Sequence, residues 1–468
     1  MYRPTIGLEI HAELATKTKM FCDSANDPNE TRPNINTCPI CLAHPGTLPV
    51  INREAVRHIM RIGTAIGGTI ADFSEFDRKS YFYPDIPKGY QISQYEHPLV
   101  IGGTLGGVMI TRVHLEEDTA RSVHAGGKSI VDFNRAGIPL IELVTEPVIP
   151  DVETAGHFAR ELQLLLRTLH ASEANLEKGE MRIEANVSVS DKEGEFGTKV
   201  EIKNLNSFRS VERAIAFEIQ RQTALIENGG KVAQETRGWD EARQKTSHQR
   251  LKEGSADYRY FPEPDLPKLF LSEISEFSQG AIRTSLPELP WIKRKRLRRE
   301  YKLKEEVIEL FIQNIELGMF FEKVVSDKAP DFVKLVVNYI TSDLISLMKN
   351  EMSGAIPSAK SFRTLIEMVM SNKLSSHGAK GTLAIMYSRS EGDDPAEIAR
   401  KYNLIQVHDS RMLGTVVDTV LAQEGKAVLE YKSGKQAALQ HLVGKAMRES
   451  RGAGNPLELQ KLIIRKIG

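Results

Sequence analysis

Apolar and polar positions alternate with period two in several short runs of the first 290 residues, whereas beyond them apolar positions recur every three to four. In residues 5–14, Ile6, Leu8 and Ile10 fall on one face of an extended chain and Gly7, Glu9, His11 and Glu13 on the other. The same period over 112–118 separates Val113 and Leu115 from Arg112, His114 and Glu116. Residues 137–146 are an apolar run interrupted by Glu142, the pattern of a buried strand. Residues 181–189 and 198–203, joined across a glycine-containing turn, predict a hairpin. Two long amphipathic helices stand out in this region. One, 152–170, follows a Pro150-Asp151 start signal and stacks Phe158, Leu162, Leu165, Leu166 and Leu169; the other, 208–228, ends at Gly229-Gly230. Two prolines in Leu286-Pro-Glu-Leu-Pro290 mark a boundary, after which periodic helices run to about residue 402 and a small helical segment follows. Strands first and helices afterwards predict an α+β protein. The expected division is a large, mostly antiparallel domain over 1–292, a helical domain over 293–402 and a small helical tail over 403–468.

Composition alters this picture little. With 468 residues, 41% hydrophobic and 26% charged, the chain reads as globular and of about two to four domains. No run approaches the ~18 apolar residues of a membrane span, and Glu9, His11 and Glu13 interrupt any signal-peptide core, so a cytoplasmic protein is expected. Charge adds more. The 62 Lys and Arg balance 62 Asp and Glu, yet residues 425–468 hold nine basic side chains against three acidic ones, and six of the seven residues from Lys293 to Arg299 are basic. Such runs suit a folded RNA touched at selected places, or else solvated helix faces. Three cysteines cannot build a disulfide framework, and the spacing of Cys38 and Cys41 raises metal binding instead.

The polar faces of the strands carry the candidate chemistry. Each alone could simply face solvent. Together, three carboxylates (Glu9, Glu116, Glu142) and at least one imidazole (His11) on separate strands fit an oxygen-rich divalent metal site, with Mn²⁺ somewhat favoured by the histidine and Mg²⁺ also admitted. Glu142 needs a partner in any case, because an unpaired buried charge is costly. The hairpin row of Arg182, Glu184, Asn186 and Ser188 with Lys199, Glu201 and Lys203 is either exposed pairing or a phosphate-handling face. Residues 79–95 place four tyrosines and two lysines in a loop broken by proline and glycine, suited to stacking bases or to a rigid surface turn. Gly127-Lys128-Ser129 lacks the glycine a P-loop requires at 122, where Ser122 stands, so any nucleotide must be held by another architecture.

As an ordered set these segments resemble the B subunit of the aspartyl/glutamyl-tRNA amidotransferases. The resemblance rests on Gly7-Leu-Glu-Ile-His11, Lys79-Ser-Tyr-Phe-Tyr-Pro-Asp85, His114-Leu-Glu-Glu-Asp118, Gly137-Ile-Pro-Leu-Ile-Glu142, Ala185-Asn-Val-Ser-Val189, Glu201-Ile-Lys-Asn-Leu-Asn-Ser-Phe208, Gln234-Glu-Thr-Arg237 and Asp257-Tyr-Arg-Tyr-Phe-Pro-Glu-Pro-Asp265. In the tail, Leu442-Val-Gly-Lys-Ala-Met and Gly452-Ala-Gly-Asn-Pro456 extend it to the end of the chain. It implies a cradle-like catalytic domain and the ATP-dependent conversion of misacylated Glu-tRNA(Gln) or Asp-tRNA(Asn) to the amidated tRNA, a carbon–nitrogen ligation with glutamine as amido donor. It further implies Mg²⁺ or Mn²⁺ on Glu9, His11, Glu116 and Glu142, catalytic roles for Arg182 and Lys203, and Lys79, Tyr81, Glu184 and Asn186 around the nucleotide and the aminoacyl end. The partners it implies are an amidase (A) subunit that delivers ammonia through a tunnel, a small C subunit, and tRNA gripped by the helical and tail domains; no membrane is involved. In keeping with an external ammonia source, none of the three cysteines has the setting of a glutaminase nucleophile. Two departures stand out. Many relatives carry a Cys-x-Cys where this chain has Cys22 and Ser24, so Cys22, Cys38 and Cys41 remain, with His44 or Asp23 available to complete a degenerate zinc set, and zinc stays open. Glu184 replaces an aspartate of many relatives. An alternative within the family is a non-catalytic tRNA-binding scaffold, which the intact Glu9, His11, Glu116 and Glu142 argue against.

Overall fold

The computed structural model describes residues 2–192, 194–251, 255–350, 354–388, 394–406, 410–450 and 454–468. Arg451 and the Gly452 and Ala453 of the tail motif therefore lie outside the described residues. The chain forms two units, Met1–Pro290 and Trp291–Gly468.

The first unit is built on a ten-stranded sheet among the described residues. Its order is Lys245–Leu251, Glu235–Asp240, Val200–Leu205, Met181–Ser190, Arg3–Glu13, Pro139–Thr145, Val108–Glu117, Val100–Ile101 and Thr69–Ile70, with Thr104–Leu105 pairing beside this path. The pairs are antiparallel except Val200–Leu205 with Glu235–Asp240, which run parallel. This is the α+β, mostly antiparallel architecture that the alternating pattern implies. Ile6, Leu8 and Ile10 are buried, as are Val113, Leu115, Ile141 and Leu143. Helix Phe208–Glu227 packs on the Met181–Ser190 and Val200–Leu205 strands, and Val152–Thr168 packs on that helix. Each begins at a side-chain cap: Asp151 accepts from the Thr154 amide at 2.7 Å and Ser207 from the Ser210 amide at 3.0 Å. A third helix, Arg53–Ala65, also covers the sheet and was not evident from the pattern of long apolar stripes. Its signal is shorter: an Asn52 cap followed by Ala55, Val56, Ile59, Met60 and Ile62. Gly63 lets it approach closely, since a Cβ there would lie 2.5 Å from Val100.

The second unit is helical. Helix Pro290–Tyr301 carries the first basic run, and five of its six cations face carboxylates of the same unit: Lys293 and Arg296 meet Glu322, Arg294 meets Glu309, Arg298 meets Glu305 and Arg299 meets Glu300. The run is thus largely ion-paired within its own unit, while Arg298 and Arg299 stay exposed. The last four helices, Ser410–Gln423, Gly425–Lys432, Gln436–Glu449 and Pro456–Ile467, close around Leu413, Val417, Leu442, Ala446, Leu459 and Ile463.

Candidate active site

Antiparallel register brings the polar faces of the strands into rows. His11 stands opposite Arg182 on one neighbour and Glu142 on the other, and Glu142 stands opposite His114. One pleat along, Glu9 stands opposite Glu184. Opposed residues share a face, so charges distant in sequence become neighbours. Imidazole Nε2 of His11 lies 3.3 Å from Glu116 and 3.5 Å from Glu142, and that of His114 lies 3.2 Å from Glu142. Arg112 approaches Glu142 at 3.5 Å. Glu142 thus has the partners that its place in an apolar run demands.

The electrostatics follow from burial and crowding. Burial favours the neutral carboxyl of Glu142, but His114 and His11 outweigh it and hold the group well below the carboxylate range. Glu116 is lowered too, its burial overcome by His11. For His11 burial opposes protonation, yet its hydrogen bonds to Glu116 and Glu142 raise it well above the usual imidazole value. Glu9 is raised by burial and then by Glu142, the mark of carboxylates pressed together. Donor atoms of Glu9, His11 and Glu142 lie within 4.8 Å of one another, as do those of His114, Glu116 and Glu142. Crowded carboxylates with an imidazole, one of them reluctant to ionise, suit a hard divalent cation, whose charge would relieve the repulsion.

Around this cluster opens a cavity of about 530 Å³, lined by Glu9, His11, Glu116, Glu142, Arg182, Lys203, Lys79, Tyr81 and Glu184 among others. Asn186 is not among its lining residues; it continues the same row one pleat outward, opposite Gly7 and Glu201. Lys203 grips both oxygens of Glu184 at 2.7 Å and approaches Glu201 at 3.9 Å. Glu9, Glu184 and Glu201 form a further group of oxygens within 4.8 Å. Burial disfavours the Lys79 ammonium, but Glu116, Tyr260 and Glu142 more than restore it, so it stays charged against the cluster. Tyr81 donates to Gln91 at 3.1 Å, and its ring lies 5.9 Å from that of Tyr258.

Arg112, His114 and Asp118 stand in the site beyond the set of site residues to which the sequence points. His114 shares a face with Glu116, yet only the register with Glu142 reveals its place. Asp118 is buried and held by Arg182 at 2.8 Å and Arg135 at 3.3 Å. The period-two count from Arg112 through Glu116 reaches Asp118, so the signal was present.

The cysteines form a separate group. Sulfurs of Cys22, Cys38 and Cys41 lie within 4.8 Å of one another. Around them are the Ser24 hydroxyl and the fully buried Lys19 ammonium, each 3.8 Å from Cys41, while His44 lines an adjoining cavity of about 300 Å³ without joining the group. Among the described residues a closed four-ligand zinc site is therefore not assembled.

The GatB/GatE catalytic domain family matches residues 4–275 and the GatB domain family residues 319–467. The chain is 44% identical to the B subunit of the aspartyl/glutamyl-tRNA(Asn/Gln) amidotransferase from Thermomicrobium roseum, over 99% of this chain and 98% of the relative. It is 41% identical to the protein of the same name from Thermotoga maritima, over 100% and 99%, and 39% identical to that from Gloeothece citriformis, over 100% and 98%.

Proposed function

This chain belongs to the B-subunit family of the aspartyl/glutamyl-tRNA(Asn/Gln) amidotransferases, and we propose that its polar cavity is where ATP activates the side-chain carboxylate of a misacylated tRNA for amidation. A carboxylate is a poor electrophile. Transfer of the γ-phosphoryl of ATP to it gives an acyl phosphate, and ammonia then displaces phosphate to leave the amide. A divalent cation held by Glu9, His11, Glu116 and Glu142 would supply charge neutralisation for the phosphates. Lys79, Arg182 and Lys203 present fixed positive charge to the same space, which stabilises the negative charge that spreads over a transferring phosphoryl group. Lys203, by clamping Glu184, also orients that carboxylate toward the nucleotide, with Tyr81 and Asn186 bordering it. In this reading ammonia is delivered by the amidase (A) subunit, itself braced by the small C subunit, and the complex is a cytoplasmic ligase with glutamine as amido donor. Residues 1–292 are the catalytic domain, 293–402 a helical domain, and 403–468 a tRNA-contacting tail.

One observation carries the reading: Glu142, buried in the sheet, is ringed by His11, His114 and Arg112 beside a cavity rich in charged groups. Burying this many charges is expensive, and a scaffold that had lost the chemistry would gain nothing from it. The test is Glu142→Gln in the reconstituted complex. ATP-dependent amidation should be abolished while glutamine-dependent ammonia release persists. Equal loss of both activities would mean that the substitution harms assembly, and the catalytic reading would lose its support.

A further inference from the structure

The aminoacyl-tRNA presents its carboxylate on an amino acid esterified to the 3′ end, so the amino acid must enter the cavity while the nucleotides behind it lie across the mouth. One part of that mouth is built differently from the charged interior. Tyr83 is 54% exposed and does not line the cavity, but its ring lies 6.0 Å from that of Tyr81, which does. Arg250 joins the two zones: it lines the cavity, and its Nη1 lies 3.5 Å from the Tyr83 hydroxyl. Beside Tyr83, Phe82 is 88% exposed, its ring resting against Gly89, where a Cβ would stand 3.2 Å away. Adjacent exposed aromatic rings lose apolar burial in the free protein, and a flat apolar ligand would recover it.

We propose that Tyr83 and Arg250 form a rim subsite for the unpaired 3′-terminal nucleotides of the aminoacyl-tRNA, a base stacking on the Tyr83 ring and a backbone phosphate meeting the Arg250 guanidinium. Unpaired nucleotides offer open base faces, which aromatic rings bind with little regard to sequence, and an arginine beside the ring supplies the countercharge. The subsite rests on the amidation reading above and extends it. Its position follows from continuity: the ring and the guanidinium adjoin the space in which the esterified amino acid would react. The inner tyrosines, Tyr81, Tyr258 and Tyr260, surround Lys79 inside the cavity and are left to the nucleoside triphosphate.

The test uses the complete amidotransferase complex with ATP, glutamine and misacylated tRNA. Tyr83→Ala should raise KM for the tRNA roughly ten-fold, the size of one lost base–aromatic stack, and Tyr83→Phe should restore it, since the ring and not the hydroxyl carries the contact. Arg250→Gln should raise the same KM and lower the salt dependence of tRNA binding by about one phosphate contact. In Tyr83→Ala, KM for ATP and the release of ammonia from glutamine should not change. A rise in KM for ATP with KM for tRNA unchanged would overturn the proposal in favour of the adenine of ATP. Weakened assembly with the amidase would overturn it in favour of a protein contact, and no change in Tyr83→Ala would remove the subsite altogether. If the unaltered complex forms no amide from misacylated tRNA, the amidation reading itself fails, an outcome separable from all of these.

Discussion

Asp118 shows how a single carboxylate links stability to the site. It is buried, its side chain held by Arg182 at 2.8 Å and by Arg135 at 3.3 Å. Burial alone would raise its pKa, but the two guanidinium groups lower it below the ordinary aspartate value. A carboxyl depressed in the folded state binds protons more readily in the unfolded chain. The stability it contributes is therefore complete above the unfolded value of about 4 and is lost as pH falls from there toward the lower folded value. Asp118→Asn should cost about 2 kcal/mol at pH 7, less than the 3–5 typical of a broken buried pair because Arg182 keeps 36% of its side chain exposed. It should also flatten the acid limb of stability. Thermal unfolding from pH 3 to 7 tests both, and a variant whose Tm falls with acid as steeply as the parent's would contradict this account.

Among the elements, the edge hairpin depends on one buried helix residue. Glu218 of helix Phe208–Glu227 is fully buried and accepts from Arg221 at 2.6 Å, Gln222 at 2.9 Å and Thr246 at 3.1 Å, with Arg237 at 3.7 Å. Gln222 in turn donates to the Val187 carbonyl at 3.0 Å. The helix is thereby tied both to the inner strand Met181–Ser190 and to the hairpin of Glu235–Asp240 with Lys245–Leu251. Glu218→Ala removes one of the two carboxylates that Arg221 and Arg237 share, leaving them Glu235 at 3.9 and 2.6 Å, and should destabilise by about 2 kcal/mol. Hydrogen exchange should show the loss first in 235–251, while Arg3–Glu13 at the sheet centre keeps its protection. Uniform loss across the sheet would show that the hairpin is not a separate cooperative unit.

At the scale of the whole molecule, the net-basic tail and the residues that line the cavity are distant in sequence. The lining residues of the cavity, among the described residues, all come from the first 260 residues of the chain. Of the tail's basic side chains, Lys435, Lys445, Lys461 and Lys466 are ion-paired, whereas Lys426, Lys432, Arg448 and Arg465 have no such partner among the described residues. Ending the chain at Tyr402 should weaken tRNA binding and reduce its salt dependence, with amidation at saturating tRNA surviving in part. Unchanged affinity at low salt would show that the tail is no RNA grip. The isolated chain, none of whose three cysteines has the sequence setting of a glutaminase nucleophile, should form amide from an ammonium salt with ATP, Mg²⁺ and misacylated tRNA, but not from glutamine. Product from glutamine by the purified single chain would refute this division of labour.

The strands, the two long helices and the need of Glu142 for a counter-charge were legible in sequence, because periodicity and the cost of burying a charge are local properties. Glu9, His11, Glu116, Glu142, Arg182 and Lys203 were identified as one set, and the structure brings them into one cavity. What the local pattern could not supply was register. It shows which face a side chain takes, yet which strand lies beside which, and at what offset, is decided by pairing between distant segments, and a slip of one residue would reverse every face. Register places His114 against Glu142, Arg182 against Asp118, and Asn186 beyond the cavity. The same holds for charge: a run of six basic residues in seven looks unpaired until tertiary packing sets Glu309 and Glu322 against it. Residue type and period are properties of the segment, whereas the partner that neutralises a buried or crowded charge comes from another part of the chain, so only the folded structure could decide it.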